Sequence, residues 1–404
     1  MAGNGVMHET ITNAPSCSAK PERVLLSSLF LTFLRLGLTA FGGPGMVAYI
    51  RQVAVEKKRW LDANSFKEGV ALCQAIPGAT AMQAAAFVGL RAGGVAGAAA
   101  GFIGFGLPAF VFMLALSALY AQTHNLPAIA SAFAGLQAII VALVANATVT
   151  FGRDSLKGWQ RVIIAIVAAA LFAWETSPIL VVVIAGVLAL LLIPASPGKA
   201  GVAPASPPMP HTRRSVIAIL AAGTLVSLGL WFVRRDLFDL AMLMARIDLF
   251  AFGGGFSSVP LMFHETVEVR HWLDGATLLN GIVLGQVTPG PIVITATFIG
   301  YLLAGITGAV TATVAVFSPS FLVLVATAPY LDRLRSSALF HKVINGIFCS
   351  FVGLLLTVTV RFSQGVIWNW LHILLAVAAF VALRLKVNIL WIVLVGAGLS
   401  IIMK

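Results

Sequence analysis

Two matched stretches combine an arginine with a glycine run inside apolar sequence. Residues 35–45 read RLGLTAFGGPG and residues 246–256 read RIDLFAFGGGF, so Arg35 and Arg246 each precede a glycine run by seven residues. A guanidinium group offers donors in a planar fork that matches an oxyanion bidentately. A helix that restarts after a break adds free N–H groups and a partial positive charge. The pair therefore predicts an anion site.

A second matched pair of breaks carries a glutamine. Gln74 precedes Pro77–Gly78, and Gln286 precedes Pro289–Gly290. Interrupted helices at equivalent places in two halves of a membrane protein point to a transport site. Two alternatives stay open: the glycines serve close helix packing, and the glutamines bond between helices. The predicted substrate-binding residues are Arg35, Phe41, Gly42, Gly43, Pro44, Gln74, Pro77, Gly78, Arg246, Gly253, Gly254, Gly255, Gln286, Pro289 and Gly290.

Asp248 has no counterpart in the first stretch, where Gly37 stands. An ionisable residue at membrane depth is functional by default, so Asp248 is a proton-coupling candidate. The alternative is that Asp248 neutralises Arg246. The arginines themselves have another interpretation, in which each extends to the membrane interface.

No motif for nucleotide, metal or nucleophilic chemistry is present. The sequence has no P-loop, no His/Cys/Asp/Glu constellation with metal-ligand spacing and no nucleophile triad, and its three cysteines are scattered. We therefore expect no cofactor and no metal, and neither an enzyme nor an ATP-driven pump.

Composition places these residues in a membrane. Of 404 residues, 59% are hydrophobic and 10% charged, whereas soluble domains have roughly 25% charged residues. The net charge of +12 resides mostly in short loops, which indicates positive-inside topology and not nucleic-acid binding. The sequence predicts an all-α polytopic membrane protein whose partner is the lipid bilayer. It leaves the oligomeric state open, a homodimer being one option.

The chain is duplicated at an offset of 211 or 212 residues. Residues 56–62 read EKKRWLD and residues 268–274 read EVRHWLD, and three further pairs follow in the same order after the glycine runs. The apolar segments number six in each half, with one extra segment between the halves. The predicted parts are a disordered cytoplasmic tail without a cleavable signal (1–22), the first half (23–194), a linker (195–213), the extra transmembrane segment (214–233) and the second half (234–404).

Loop charges predict that the two halves are inverted. The loop after the fourth segment of the first half holds Arg153, Lys157 and Arg161, whereas basic residues of the second half precede its fourth segment, at Arg333 and Arg335. Positive loops face the cytoplasm, so equivalent loops lie on opposite sides. We expect an inverted-topology repeat with broken or re-entrant helices, a cytoplasmic N-terminus and a periplasmic C-terminus.

These motifs resemble the chromate ion transporter family in its long, two-domain form, over nearly the whole chain. Phe41–Pro44 and Gln74–Gly78 match the motifs of the first half, and Phe252–Gly254 and Gln286–Gly290 repeat them, with Gly255 where the first half has Pro44. The resemblance implies a bacterial inner-membrane carrier that exports chromate and confers resistance, driven by a proton or charge gradient, for example as an antiporter.

The substrate chromate comes from the resemblance. The residues themselves indicate only a small oxyanion, and sulfate has the same shape and charge. A sulfate carrier and an anion channel of this architecture remain alternatives.

Overall fold

The computed structural model describes residues 24–39, 45–194, 210–330 and 337–402, and every regular element within them is helical. The predicted tail, residues 195–209 of the predicted linker and the first glycine run (Phe41–Pro44) lie outside the described residues. Apolar segments in lipid must bond their own backbone, and helices do so within one segment. The α-helices of the described part are α1 (Leu26–Thr39), α2 (Gly45–Arg51), α3 (Ala63–Ala75), α4 (Thr80–Thr123), α5 (Pro127–Ser155), α6 (Trp159–Ala173), α7 (Pro178–Leu192), α8 (Pro210–Val233), α9 (Arg235–Leu249), α10 (Ser258–Phe263), α11 (Gly275–Val287), α12 (Thr295–Thr327), α13 (Ala338–Gly365), α14 (Trp370–Arg384) and α15 (Ile389–Ile402).

The backbone repeats itself with the offset seen in the sequence. α3 and α11 both have 13 residues, and α6 and α14 both have 15. A π-helical turn follows α2 at Gln52–Lys57, and its counterpart follows α10 at His264–Val269. α8 has no repeat counterpart among the described helices and lies between the two halves in the chain.

α3 and the start of α4 form a helical hairpin around the Pro77–Gly78 break. Gly69 packs against the Phe87 ring so closely that a Cβ atom would overlap it. The two residues would lie about 27 Å apart along a straight helix, so the chain must reverse between them. Gly281 and Phe298 repeat this contact in the second half. Each limb is about 20 Å long and so too short to cross a hydrocarbon core about 30 Å thick, which is the geometry expected of a re-entrant hairpin.

α4 reverses again at Gly93 and Gly94, whose backbone is non-helical (φ −147°, ψ 21° and φ 66°, ψ −158°). Gly89 and Gly97 lie in contact across this reversal, and only hydrogen atoms fit between them. α12 has the same reversal at Ala304–Gly305. Residues 80–92 and 95–123 are therefore two antiparallel limbs, and the second limb is long enough to cross the membrane.

α9 also belongs to a hairpin. The Arg246 guanidinium lies 3.8 Å from a carboxylate oxygen of Glu265. These residues would be about 28 Å apart along a continuous helix, so the chain turns back at the glycine run between them.

The two halves are related by a pseudo-two-fold axis near Thr148 and Thr359. These equivalent residues, 211 apart, have hydroxyl oxygens 3.4 Å from each other. Further along α5, the Ser155 carbonyl oxygen lies 3.7 Å from Cys349 Sγ, which precedes Thr359 on α13. Residue numbers rise on α5 as they fall on α13, so the equivalent helices are antiparallel. The repeat is therefore inverted.

Each half packs its last helices on the other half. Gly346 on α13 contacts Ala189 on α7, and the equivalent Gly135 on α5 contacts Ser400 on α15. Small residues at these points let the helix backbones approach closely. Five stretches of the described residues are long and apolar enough to cross a membrane, judged by length and composition: Pro127–Ser155, Arg214–Val233, Ala338–Gly365, and Thr80–Thr123 and Ile292–Tyr330, the last two of which each include one of the reversals described above.

Candidate functional site

The Pro77–Gly78 break of the first half lies against the second half. The Gly78 N–H donates to the Ala251 carbonyl oxygen at 2.8 Å, and the Ala79 N–H donates to Ser320 Oγ at 3.0 Å. Gly78 has φ +120°, and a Cβ atom there would overlap the Ser320 side chain. Only glycine fits at this position. The first helix break is thus fixed at the interface between the repeats.

Asp248 lies at the same interface and is fully buried. Its carboxylate accepts the Ser320 N–H at 2.7 Å and the Ser320 hydroxyl at 2.7 and 2.9 Å. Pro319 has no N–H and disturbs the hydrogen bonds of α12, which leaves the next N–H to point at the carboxylate. The alternative that Asp248 neutralises Arg246 is wrong, because Arg246 pairs with Glu265.

The first half has no such carboxylate. Gly37 stands at the position equivalent to Asp248, and its backbone touches the Phe105 carbonyl group. Ala109 stands at the position of Ser320 and contacts Gly290, where a Cβ atom would be 2.7 Å from the alanine methyl. Each helix break therefore packs against the opposite half, Gly78 against Ser320 and Gly290 against Ala109. Only the first of these contacts has a carboxylate, Asp248, behind it.

Two glutamines near the breaks have unpartnered polar atoms. Gln83 is fully buried, and its Nε2 donates to the Pro77 carbonyl oxygen at 2.6 Å. Among the described residues, neither Gln83 Oε1 nor Gln286 Nε2 has a hydrogen-bond partner, and both atoms are buried. An unmade buried hydrogen bond costs about 1–3 kcal/mol, so these atoms mark places suited to a ligand.

The second glycine run reaches the N-terminus of α4. Gly253 and Gly254 have φ of +83° and +101°, values that favour glycine. A Cβ atom on Gly254 would lie 3.5 Å from Thr80 Oγ1. Ala79, which precedes α4, provides no side-chain cap, so the first turn of this helix keeps donors for another group.

Six side chains of the second half form an ion-pair cluster on the α9–α10 hairpin and α13. Glu265 lies 3.8 Å from each of two guanidinium groups, and His264 Nδ1 lies 2.8 Å from Glu268. Glu268 pairs with Arg361, which also donates to the Phe172 carbonyl oxygen at 2.9 Å. The members of this cluster are Arg246, His264, Glu265, Glu268, Arg270 and Arg361.

The predicted residues fall into two groups. The structure brings the Pro77–Gly78 break, the second glycine run and Asp248 to one interface. Arg35 and Gln74 are exposed, and the Arg246 side chain is 48% exposed. Val53 stands where Glu265 stands in the second half, and no carboxylate of the described residues pairs with Arg35.

Sequence reasoning missed Thr80, Gln83 and Ser320. A polar residue inside an apolar run was the available signal for Gln83, which follows ATAM and precedes AAAFVG. For Ser320 the signal was a hydroxyl beside one of two matched prolines, where the other half has alanine. The described residues contain no group of three His, Cys, Asp or Glu side chains that could hold a metal ion.

Comparison with known proteins agrees with this architecture. A model of the chromate transporter family matches residues 27–190 and again residues 238–401. An uncharacterized transporter of Methanocaldococcus jannaschii is 40% identical over 374 residues, which is 92% of this chain and 93% of the relative. No solved structure matches the chain.

Two other relatives carry functional names. The chromate transport protein of Pseudomonas aeruginosa is 30% identical over 366 residues, covering 86% of this chain and 83% of the relative. The chromate transport protein of Cupriavidus metallidurans is 30% identical over 385 residues, covering 93% and 92%. With both halves matched, this two-repeat membrane protein belongs to the chromate transporter family.

Proposed function

We propose that the chain is a secondary transporter that exports chromate across the bacterial inner membrane and so confers chromate resistance. The relatives named chromate transport proteins support the substrate. The observation that carries the mechanism is the uncapped N-terminus of α4, which lies at the interface of two inverted repeats beside a buried carboxylate.

The anion binds at the helix breaks. The first turn of α4 supplies N–H donors and the partial positive charge of a helix N-terminus. The glycine run beside Thr80 lets backbone approach the ligand closely, and Gln286 adds a donor that has no protein partner among the described residues. Arg35 supplies formal charge on the first-half side, since no described carboxylate neutralises it. On the other side Arg246, which lies 3.8 Å from Glu265, is shared between that carboxylate and the anion.

Asp248 couples the anion to a proton. Ser320 Oγ bonds both the carboxylate and the Ala79 N–H, so it connects Asp248 to the N-terminus of α4. An ionised Asp248 repels a bound anion, and a protonated one does not, so anion and proton favour each other's binding. Export of a chromate dianion with one proton still moves negative charge outward. The inside-negative potential drives this at about 2.3 kcal/mol per charge per 100 mV, which supports potential-driven export over proton antiport.

Labelled chromate flux into everted membrane vesicles tests the proposal. With an imposed potential we expect saturable accumulation that excess sulfate does not abolish. Equal competition by sulfate would identify a general sulfate-type carrier, and flux that does not saturate would identify an anion channel. No accumulation at all would contradict the proposal.

The loop charges support an orientation with a cytoplasmic N-terminus and a periplasmic C-terminus. A phosphatase reporter fused after Lys404 should be active, and a cytoplasm-specific reporter at the same place should be silent. The reverse result would refute the periplasmic position of the C-terminus.

A further inference from the structure

The two re-entrant hairpins differ in exposure, although their sequences are equivalent. Lys67, Ala71 and Gln74 lie on one face of α3 and are exposed. Their counterparts on α11 are Leu279 and Val283, each 1% exposed, and Gln286, whose Nε2 is buried. α3 thus has an exposed stripe, and α11 has its equivalent face buried.

The neighbouring segment shows the same difference. Tyr49 on α2 is 48% exposed, whereas its counterpart Leu261 on α10 is 1% exposed. Gln52 is exposed, whereas its counterpart His264 is 5% exposed. The asymmetry therefore covers both hairpins of each half.

The polar residues of the exposed stripe of α3 favour contact with water over contact with lipid. It begins at Asn64 and includes Lys67 and Gln74, and a lysine in the hydrocarbon core costs about 2.5–3.5 kcal/mol. The counterpart positions 279 and 283 are leucine and valine, which suit burial. The sequence thus gives the first hairpin a polar face that suits water and the second hairpin an apolar face that suits burial.

The charge around the two hairpins also differs in sign. Residues 51–67 hold five basic and two acidic residues, whereas the equivalent residues 263–279 hold one arginine and three acidic residues. Of the two acidic residues, Glu56 pairs with Arg51 at 3.7 Å, and Asp62 caps α3 through the Asn64 and Ser65 N–H groups. A hydrogen bond from the Ser65 hydroxyl lowers the pKa of Asp62. The net positive charge around the first hairpin therefore raises the local concentration of anions.

The equivalent region of the second half holds the ion-pair cluster. The cluster joins the α9–α10 hairpin to α13 and, through the Phe172 carbonyl oxygen, to the end of α6. The first half cannot form an equivalent cluster, because Gln52, Val53 and Thr150 stand where His264, Glu265 and Arg361 stand in the second.

We propose that the stripe of α3 formed by Asn64, Lys67, Ala71 and Gln74 lines a water-filled entrance to the Pro77–Gly78 break, and that Lys67 makes this entrance selective for small anions. The identity of the transported anion rests on the proposed function, but the entrance does not. Lys67 lies about 15 Å from the break along α3, so a small oxyanion reaches it before the break. No carboxylate of the described residues pairs with its ammonium group.

Thiol labelling of the full chain in everted vesicles tests the entrance without requiring transport. In a Cys17→Ser background, where the remaining Cys73 and Cys349 are buried, Ala71→Cys is compared with its repeat counterpart Val283→Cys. We expect small charged methanethiosulfonates to label Ala71→Cys and to leave Val283→Cys unlabelled until denaturation. Equal labelling of the two native proteins would overturn the proposal.

The role of Lys67 is tested by the charge of the reagent. A single positive charge about 6 Å from residue 71 in water raises the labelling rate of an anionic reagent about threefold and lowers that of a cationic reagent about threefold. Adding Lys67→Gln to Ala71→Cys should therefore lower the ratio of anionic to cationic labelling about tenfold, and Lys67→Arg should preserve it. Lys157→Gln, at an exposed lysine between α5 and α6, should have no effect. An unchanged ratio in the Lys67→Gln protein would overturn anion selection by this residue.

Transport gives a second readout. Lys67→Gln should raise the KM for the anion and reduce its dependence on ionic strength, with kcat unchanged. If labelling behaves as expected while chromate flux is absent, the proposed substrate is wrong and the entrance stands.

Discussion

Replacing Asp248 by asparagine should tighten anion binding and remove the response to protons. The asparagine Oδ1 can accept the Ser320 N–H, and its Nδ2 can donate to Ser320 Oγ, so the buried contacts of Asp248 are kept. Asp248→Ala is less informative, because the buried donors of Ser320 would lose their acceptor at a cost of about 1–3 kcal/mol each.

The expected gain in anion affinity in Asp248→Asn follows from the hydrogen bonds that connect Asp248 to α4. Ser320 Oγ lies 2.7 Å from the carboxylate and 3.0 Å from the Ala79 nitrogen. An anion bonded to the next N–H groups of α4 is therefore about 8 Å from the carboxylate. At an effective dielectric constant of about 20, the repulsion is about 2 kcal/mol for each negative charge on the anion. Binding should tighten by about 30-fold or more when that charge is removed.

The assay is chromate uptake by everted vesicles, with KM measured at several pH values and with pH gradient and potential imposed separately. Wild type should respond to both, and Asp248→Asn only to the potential, with a lower KM. Asp239→Asn is the matched control, since that aspartate is on the same helix but has a side chain that is 46% exposed and pairs with Arg235 at 3.9 Å. An unchanged KM and an unchanged response to pH in Asp248→Asn would refute the placement of the anion beside this carboxylate.

Further substitutions test three separate parts of the site. Gly78→Ala should abolish transport because the added Cβ overlaps Ser320. Gly94→Ala is the control: it is also at positive φ but has open space around it, and should cost only about 1–2 kcal/mol of backbone strain. Comparable flux in the two variants would contradict the packing of the Pro77–Gly78 break. Arg35→Ala and Arg246→Ala should each abolish oxyanion flux with the protein still inserted, as judged by membrane fractionation, and normal flux in either would exclude that arginine. Arg361→Gln removes the partner of Glu268 and should open the ion-pair cluster. Val283→Cys should then become labelled from the periplasmic face of intact cells. Continued protection of Val283→Cys would show that the cluster does not restrict access to α11.

Local patterns were enough to predict the elements of each half. Apolar runs specify helices in lipid, and Pro77–Gly78 and the second glycine run interrupt them, because helix hydrogen bonds connect residues only four apart. The repeat follows from residue identity alone, and loop charge predicted its inversion, which the antiparallel pairing of α5 and α13 confirms. The sequence therefore determined the helices, the breaks and the relation between the halves.

Only the tertiary structure decided which distant residues meet, within a half and between the halves. Asp248 has its partner Ser320 72 residues away, and Gly78 is held by Ala251 of the other repeat. Gln74 and Gln286 occupy equivalent places, yet one is exposed and the other has a buried amide nitrogen. Burial and long-range hydrogen bonds depend on how whole helices pack, and this packing is set by the sum of many weak contacts across the interface. No local pattern around any one residue contains that sum.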